Sequence, residues 1–585
     1  MTDFFKIKQE KGKGHAVKTC CNPMDLEYRF KRKGGETEPC REGADPGAVF
    51  WRGKYWCVSS KAAGVHWSED LVNWHCVYDN ILPHDGYGPD LYVRNGKLYF
   101  LIGFVRTTVF EAVDPERGMW KRVGGEFQLY DPKFFSDDDG RLYCFTGCTA
   151  FDPIIGAELD PETCLPVTPW LDLVAVDLKR RGWERPGENN GGTSGPLIPL
   201  LIATGERKEG DPQPELAPWN EGTFITKHNG KYYLQNSAAG TEFNVYSDGI
   251  SVSGSPLGPY TRQKDNPFSY KPGGFITGAG HSCSFEDKYG NLFHLCTQRI
   301  AKRYKFERRI SMFPAAYTED GTLICYQRFG DYPHYVPDAK LESPVCDLFT
   351  GWMLQSLHAK VSATSFEPGF EPEFAVDEDI RTNWAALPDD PAPTLTVDLG
   401  KEVRIRAVQI NFAERHCTQY AFDGPRGANQ YLLEVSSDGK DWQTAADRRA
   451  NTEDKTHRYH ELALHARFVR LSVTHAAAGG VASVSGLRVF GDDGSGAPGV
   501  PENVAAARDA DDRTKVKVSW IMPENAHGIN IRWGLSPDRM HHTWQLPDGT
   551  TQFTLPALDA ELDYFIAVEA FGRGGVSPMS APIGI

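Results

Sequence analysis

Asp45, Asp131, Glu221 and His281 each stand ahead of a glycine turn, eight residues before Gly53 for the first and nine before Gly140, Gly230 and Gly290 for the others. A single Asp ahead of a strand is ordinarily a turn residue, and Asp-Pro is a common turn signal. Three carboxylates and a histidine at one position of a repeat need another explanation. Two facing carboxyl groups can protonate a leaving oxygen and activate a water, which is what breaking a glycosidic bond requires. A third carboxylate beside the acid keeps it protonated, because like charges a few ångströms apart resist ionising together.

The elements that must bring these residues together are hairpins. Glycine turns sit in Phe50-Trp-Arg-Gly-Lys-Tyr-Trp56, Val93-Arg-Asn-Gly-Lys-Leu-Tyr99, Ser136-Asp-Asp-Asp-Gly-Arg-Leu-Tyr143, Lys227-His-Asn-Gly-Lys-Tyr-Tyr233 and Asp287-Lys-Tyr-Gly-Asn-Leu-Phe293. Asn-Gly and Asp-Gly supply the positive φ angles of a tight turn between twisted strands. Five such units predict a five-bladed β-propeller whose inner strands begin with the four ionisable residues, meeting at the axis. In the second hairpin Asp90 stands only six residues before Gly96, so it is expected further down its strand.

At 585 residues the chain is too long for one core, and 39 Pro, 58 Gly and 12% aromatic residues suit many short strands joined by turns. The whole is expected to be all-β. A net charge of −15 argues against a nucleic-acid partner. No apolar run is long enough to span a bilayer, so no membrane partner is expected. The first residues carry charges where a secretory signal needs an apolar stretch, which implies a cytoplasmic protein, or a secreted one whose signal has been removed. Thirteen cysteines without a Cys-x-x-Cys pair read as buried free thiols in a reducing compartment.

Beyond residue 340 the punctuation changes. Phe374-Ala-Val-Asp-Glu-Asp-Ile-Arg-Thr-Asn-Trp384, Leu395-Thr-Val-Asp-Leu-Gly400, Tyr431-Leu-Leu-Glu-Val-Ser-Ser-Asp-Gly-Lys-Asp-Trp442 and Arg467-Phe-Val-Arg-Leu-Ser-Val473 alternate apolar residues with turns and predict a β-sandwich over residues 343–491. These phrases resemble the discoidin-type (F5/8 type C) domain, which implies a jelly-roll sandwich that often binds carbohydrate. A linker of small residues, 492–499, introduces a last unit over 497–585, and it is expected to be separable from the active site. Val516-Lys-Val-Ser-Trp520, Ile529-Asn-Ile-Arg-Trp533 and Leu558-Asp-Ala-Glu-Leu-Asp-Tyr564 resemble strands and the tyrosine corner of a fibronectin type III sandwich, with Trp520, Trp533 and Tyr564 as packing anchors.

Within residues 1–340, Ala44-Asp-Pro46, Tyr87-Gly-Pro-Asp90, Tyr130-Asp-Pro-Lys-Phe-Phe135, Asn220-Glu-Gly222 and Gly278-Ala-Gly-His281, in this order and spacing, resemble glycoside hydrolase family 43. The resemblance implies Asp45 as general base, Asp131 as the carboxylate that tunes the acid, Glu221 as general acid, and His281 facing a calcium ion at the propeller axis. No organic cofactor is implied. Tyr87 and Asp90 would line the sugar pocket, and Arg308 resembles an arginine that reaches sugar hydroxyls in exo-acting relatives. A long insert between the third and fourth blades, with Trp183, Glu184, Arg185, Glu188 and the run 206–212, is expected to form a lid or subsite wall. The implied activity is exo-acting, inverting removal of terminal arabinofuranosyl or xylosyl residues from a plant-type oligosaccharide or polysaccharide. The altered pocket wall at Tyr87 and Thr223 keeps β-galactosidase or another pyranosidase activity open, and a binding-only propeller is the alternative from another class.

Overall fold

The computed structural model describes residues 18–31, 39–79, 81–103, 107–150, 152–192, 219–341, 347–418 and 427–585, which among them form strands and a few short 3-10 turns. Five antiparallel sheets follow one another, each stepping outward from an inner strand: Ala44–Trp51, Tyr87–Arg94, Lys133–Ser136, Asn220–His228 and Thr277–Glu286. These inner strands touch their neighbours in a closed ring. The first 340 residues thus contain the five-bladed propeller that the turns predict, with apolar clusters packed between successive blades.

At the head of each inner strand one residue takes a positive φ: Asp45 (52°), Gly88 (57°), Asp131 (49°), Gly222 (60°) and His281 (43°). In blades 1, 2, 4 and 5 the strand register breaks at that point, forming a bulge that re-aims the side chain. Gly88 has to be glycine, since a Cβ there would lie 2.4 Å from Asp131 Oδ1. Counting from the turn assigned this position to Glu221, whereas the structure gives it to Gly222 and sets Glu221 one residue earlier. The cause is loop length. Blades 1, 2 and 4 turn through two residues, with Trp51 opposite Lys54, Arg94 opposite Lys97 and His228 opposite Lys231. Blades 3 and 5 turn through five, with Ser136 opposite Leu142 and Glu286 opposite Leu292. The positive-φ residue therefore lies eight residues before the turn glycine in the first group and nine in the second.

Hydroxyls on the second strands tie blade to blade. Ser60 Oγ accepts the Gly88 N–H (2.8 Å), Ser237 Oγ the His281 N–H (2.7 Å) and Thr297 Oγ1 the Asp45 N–H (2.7 Å). The last of these joins blade 5 to blade 1. The N-terminal segment reinforces blade 5: Asn22 exchanges hydrogen bonds with the backbone of Met312 (2.9 Å) and Gly330 (2.7 Å), and the Met24 N–H donates to Ile310 O (2.9 Å).

The second sandwich is built on two long strands, Thr394–Phe412 and His457–His475, paired along their length and bent by register shifts. Together with Ser483–Asp492 and Gln430–Ser436 they enclose a core of Trp384, Leu395, Ile410, Tyr431, Leu471 and Val489. In the last sandwich, Glu502–Arg508, Val516–Ile521 and Gln552–Leu555 form one sheet. His542–Pro547, Gly528–Gly534 and Phe565–Gly572 lead the other. Trp520, Trp533 and Tyr564 are buried as expected, and the Tyr564 hydroxyl accepts the Asp559 N–H (3.2 Å).

The last unit is not held apart by its linker. Trp183, expected in a wall around sugar, is fully buried in the core that contains Val516, Trp520, Trp533 and Trp544. Gly182 N–H donates to Leu558 O (2.9 Å), and a Cβ on Gly182 would lie 2.0 Å from Pro556 O. Arg180 pairs with Asp559 (3.0 Å) and Arg185 with Asp512 (2.6 Å). An indole that large gains more from a dry apolar socket than from a wet rim, and the insert uses it to anchor the sandwich. The run 206–212 lies outside the described residues.

Candidate active site

The positive-φ residues heading the inner strands bring three of the four predicted residues to one place, and Glu221 reaches it from the residue before Gly222. Asp45 Oδ1 lies 3.3 Å from His281 Nδ1, which is 3.8 Å from Asp131 Oδ2. Asp131, Cys148 and Glu221 each contribute one polar atom to a group lying within 4.8 Å of one another. The order across the axis is therefore Asp45, then His281 and Asp131, then Glu221. Ser60 Oγ donates to Asp45 Oδ2 (2.5 Å), so the hydroxyl that latches blade 2 also orients the blade 1 carboxylate. Glu221 accepts from the Tyr246 hydroxyl on Oε1 (2.5 Å) and from the Cys148 thiol on Oε2 (3.3 Å). Ser237, which holds the His281 N–H, is itself aligned by Asp248 (2.5 Å).

Environment separates the carboxylates. Burial works to raise Asp45, but Arg308 (3.2 Å), His281 and the Ser60 donor override it and hold the carboxyl below its ordinary value. Burial pushes Glu221 up to about 7; the Tyr246 hydrogen bond works against this and the Asp45 charge adds to it. Asp131 is driven well up, by burial first and then by the charges of Glu221 and Asp45. Asp131 and Glu221 titrate as a unit that retains a proton where Asp45 has none. Desolvation first, and then the charges of Asp131 and Glu221, push the Cys148 thiol well up, so it stays neutral and donates to Glu221. Burial brings His281 down to about 4. A neutral imidazole beside a carboxylate carries its proton on the nitrogen facing it, here Nδ1, which leaves the buried Nε2, without a hydrogen-bond partner, as a lone pair.

The remaining predicted residues fall into different places. Tyr87 is half-buried beside the Gly88 bulge, with Lys61 Nζ 4.2 Å from its ring centre and the Phe306 ring at 5.9 Å. Asp90 is turned into the protein. It sits two residues beyond the Gly88 bulge, 1% exposed, with Lys133 Nζ at 3.6 Å, and burial raises it to about 6. Arg308 is neither on the surface nor turned outward. It is buried between Asp45, Glu42 (3.0 Å) and Thr241 (3.1 Å), where its charge bears on the Asp45 carboxylate. Trp183 belongs to the seam with the last sandwich. Sequence reasoning missed Ser60, Cys148, Tyr246 and Thr297. Ser60 and Thr297 share a recoverable signal, since each occupies the second strand opposite the approach to a bulge.

Residues 40–323 match the model of glycosyl hydrolases family 43, and residues 360–487 match that of the F5/8 type C domain. No curated protein matches the chain. Among solved structures, a thermostable family-43 glycoside hydrolase is 20% identical, covering 55% of this chain and 99% of its own, with a TM-score of 0.42. The Bacteroides ovatus xyloglucan PUL GH43B is 15% identical over 97% of this chain and 98% of its own, TM-score 0.39. The xylan beta-1,4-xylosidase of Bacillus halodurans C-125 is 14% identical over 97% and 91%, TM-score 0.38. The chain thus carries a family 43 glycosyl hydrolase domain over residues 40–323 and an F5/8 type C domain over residues 360–487.

Proposed function

We propose that the protein is an exo-acting, inverting glycoside hydrolase that removes terminal arabinofuranosyl or xylosyl residues from plant-type glycans. The observation that carries this reading is the split among three carboxylates at one axial site. Asp45 is held ionised by Arg308, and Glu221 is kept able to hold a proton near neutral pH. On this reading Asp45 takes a proton from water while Glu221 gives one to the leaving oxygen, and Asp131 supports the protonated state of Glu221. Tyr246 and Cys148 position the acid, while Ser60, Thr297 and Arg308 position the base. The pentose specificity rests on the resemblance of the pocket motifs.

We also propose a hydrated calcium ion against His281, supported by its orphaned buried Nε2. Calcium prefers oxygen ligands, so most of its shell would be water, and its charge would favour the ionised carboxylates nearby. The last sandwich is proposed as fibronectin type III, supported by its sheet order and by Tyr564 bonding back to Asp559. The F5/8 type C domain is proposed to hold the glycan.

The test is a panel of nitrophenyl arabinofuranosides, xylosides and galactosides, with NMR of the first-released anomer. Fastest cleavage of a pentoside with inverted product supports the proposal. Fastest cleavage of a galactoside favours the pyranosidase reading, retained configuration overturns the water-activating role of Asp45, and no cleavage leaves a binding protein.

A further inference from the structure

At the seam between blade 4 and the last sandwich, two consecutive histidines converge on one carboxylate oxygen. Asp265 Oδ1 lies 3.2 Å from His542 Nε2 and 3.8 Å from His541 Nε2, and one ligand atom from each residue falls within 4.8 Å of the others. The Asp265, His541 and His542 side chains are 4%, 8% and 4% exposed. Successive residues within a strand point to opposite faces. His541 escapes that rule by preceding the strand His542–Pro547, so both rings lie on one side with centroids 4.2 Å apart. His542 is held by stacking on Trp533 (5.3 Å), and Asp265 comes from the loop between Thr261–Arg262 and Ser269–Tyr270 of the propeller.

We propose that Asp265, His541 and His542 bind a divalent zinc-like ion that pins the last sandwich to blade 4. A tetrahedral ion with bonds of about 2.0–2.1 Å sets its ligands roughly 3.3–3.4 Å apart, between the 3.2 Å and 3.8 Å distances here, so His541 has only to draw in by a few tenths of an ångström. Two imidazoles and one carboxylate suit zinc or cobalt and disfavour calcium or magnesium, which take oxygen shells. A solvent molecule completes the tetrahedron. The nearby cations face other partners, Arg539 pairing with Asp320 (2.8 Å) and Arg532 with Glu569 (3.6 Å). The site stands apart from the propeller axis and does not depend on the proposed activity.

The experiment is equilibrium dialysis of metal-free full-length protein against zinc or cobalt(II), with wild type compared to His541→Gln, His542→Gln and Asp265→Asn. Comparison with the variants cancels any ion taken by the cysteines. Wild type should bind one equivalent more than each variant, show the intense visible absorption of tetrahedral cobalt, and melt at a higher temperature when loaded. Equal stoichiometry in wild type and the two histidine variants, or no binding at all, overturns the site. An extra equivalent that leaves the melting temperature unchanged overturns its pinning role. If Asp265→Asn fails to fold, the histidine variants still decide.

Discussion

Buried charge is handled in opposite ways at the propeller axis and at the seams between domains. At the seams carboxylates meet guanidinium groups: Arg41 sits between Glu414 (2.6 Å) and Asp454 (2.5 Å), and Arg328 pairs with Glu569 (2.6 Å). At the axis Arg308 serves only the Asp45 end, and among the described residues Asp131 and Glu221 form no ion pair with a lysine or arginine. A matched pair fixes geometry, whereas an unmatched carboxyl group has a movable proton. The contrast separates what the fold uses to hold domains from what it reserves for chemistry.

Removing charge on the two sides should therefore do different things. Asp45→Asn should lower kcat about 10²–10⁴-fold, read by steady-state rates on the preferred pentoside, with the circular dichroism spectrum unchanged. Arg41→Met should strip Glu414 and Asp454 of the guanidinium they share and cost about 3–5 kcal/mol in urea unfolding, with the rate per folded molecule preserved. Glu221→Gln should act in the opposite sense on stability. The folded-state value of Glu221, about 7, exceeds its ordinary 4.5, so its contribution is fully present below about 4.5 and lost as pH rises through about 7. Melting temperatures of wild type should fall from pH 5 to 8, and the substitution should flatten that fall; an unchanged slope would put the proton elsewhere.

The smallest effect is expected at Ser60→Ala. Losing the hydroxyl that serves both Asp45 and the Gly88 N–H should cost about 1 kcal/mol. It should also raise the Asp45 pKa, moving the acid limb of kcat/KM to higher pH, because the base must be ionised. A limb that stays in place while stability drops would make Ser60 only a latch.

The blades were legible because each is local: a turn, two strands and an aromatic stripe lie within about twenty residues, and the turn residues carry their own φ requirement. Glu221 was misplaced by one position because distance was counted from the turn, and blade 4 turns through two residues where blades 3 and 5 turn through five. The conformational constant is the positive φ at the bulge, which Gly222 meets more readily than a glutamate. Tyr246 and Cys148 carry no motif, and their partner Glu221 lies in another strand. Arg308 was read from its neighbours in sequence, but its partners, Glu42 and Asp45, lie over 260 residues away. Trp183 looked like a sugar platform because an exposed and a buried indole are identical in sequence, and its socket is formed by the last sandwich.

The central claim is that Glu221 gives the proton to the leaving oxygen while Asp45 activates water. Its most direct test compares Glu221→Gln with wild type on two glycosides of the same sugar, one with an alkyl leaving group and one with a dinitrophenyl group. The account predicts near-complete loss on the alkyl glycoside and a far smaller loss on the activated one, which departs without protonation. Equal loss on both would contradict it.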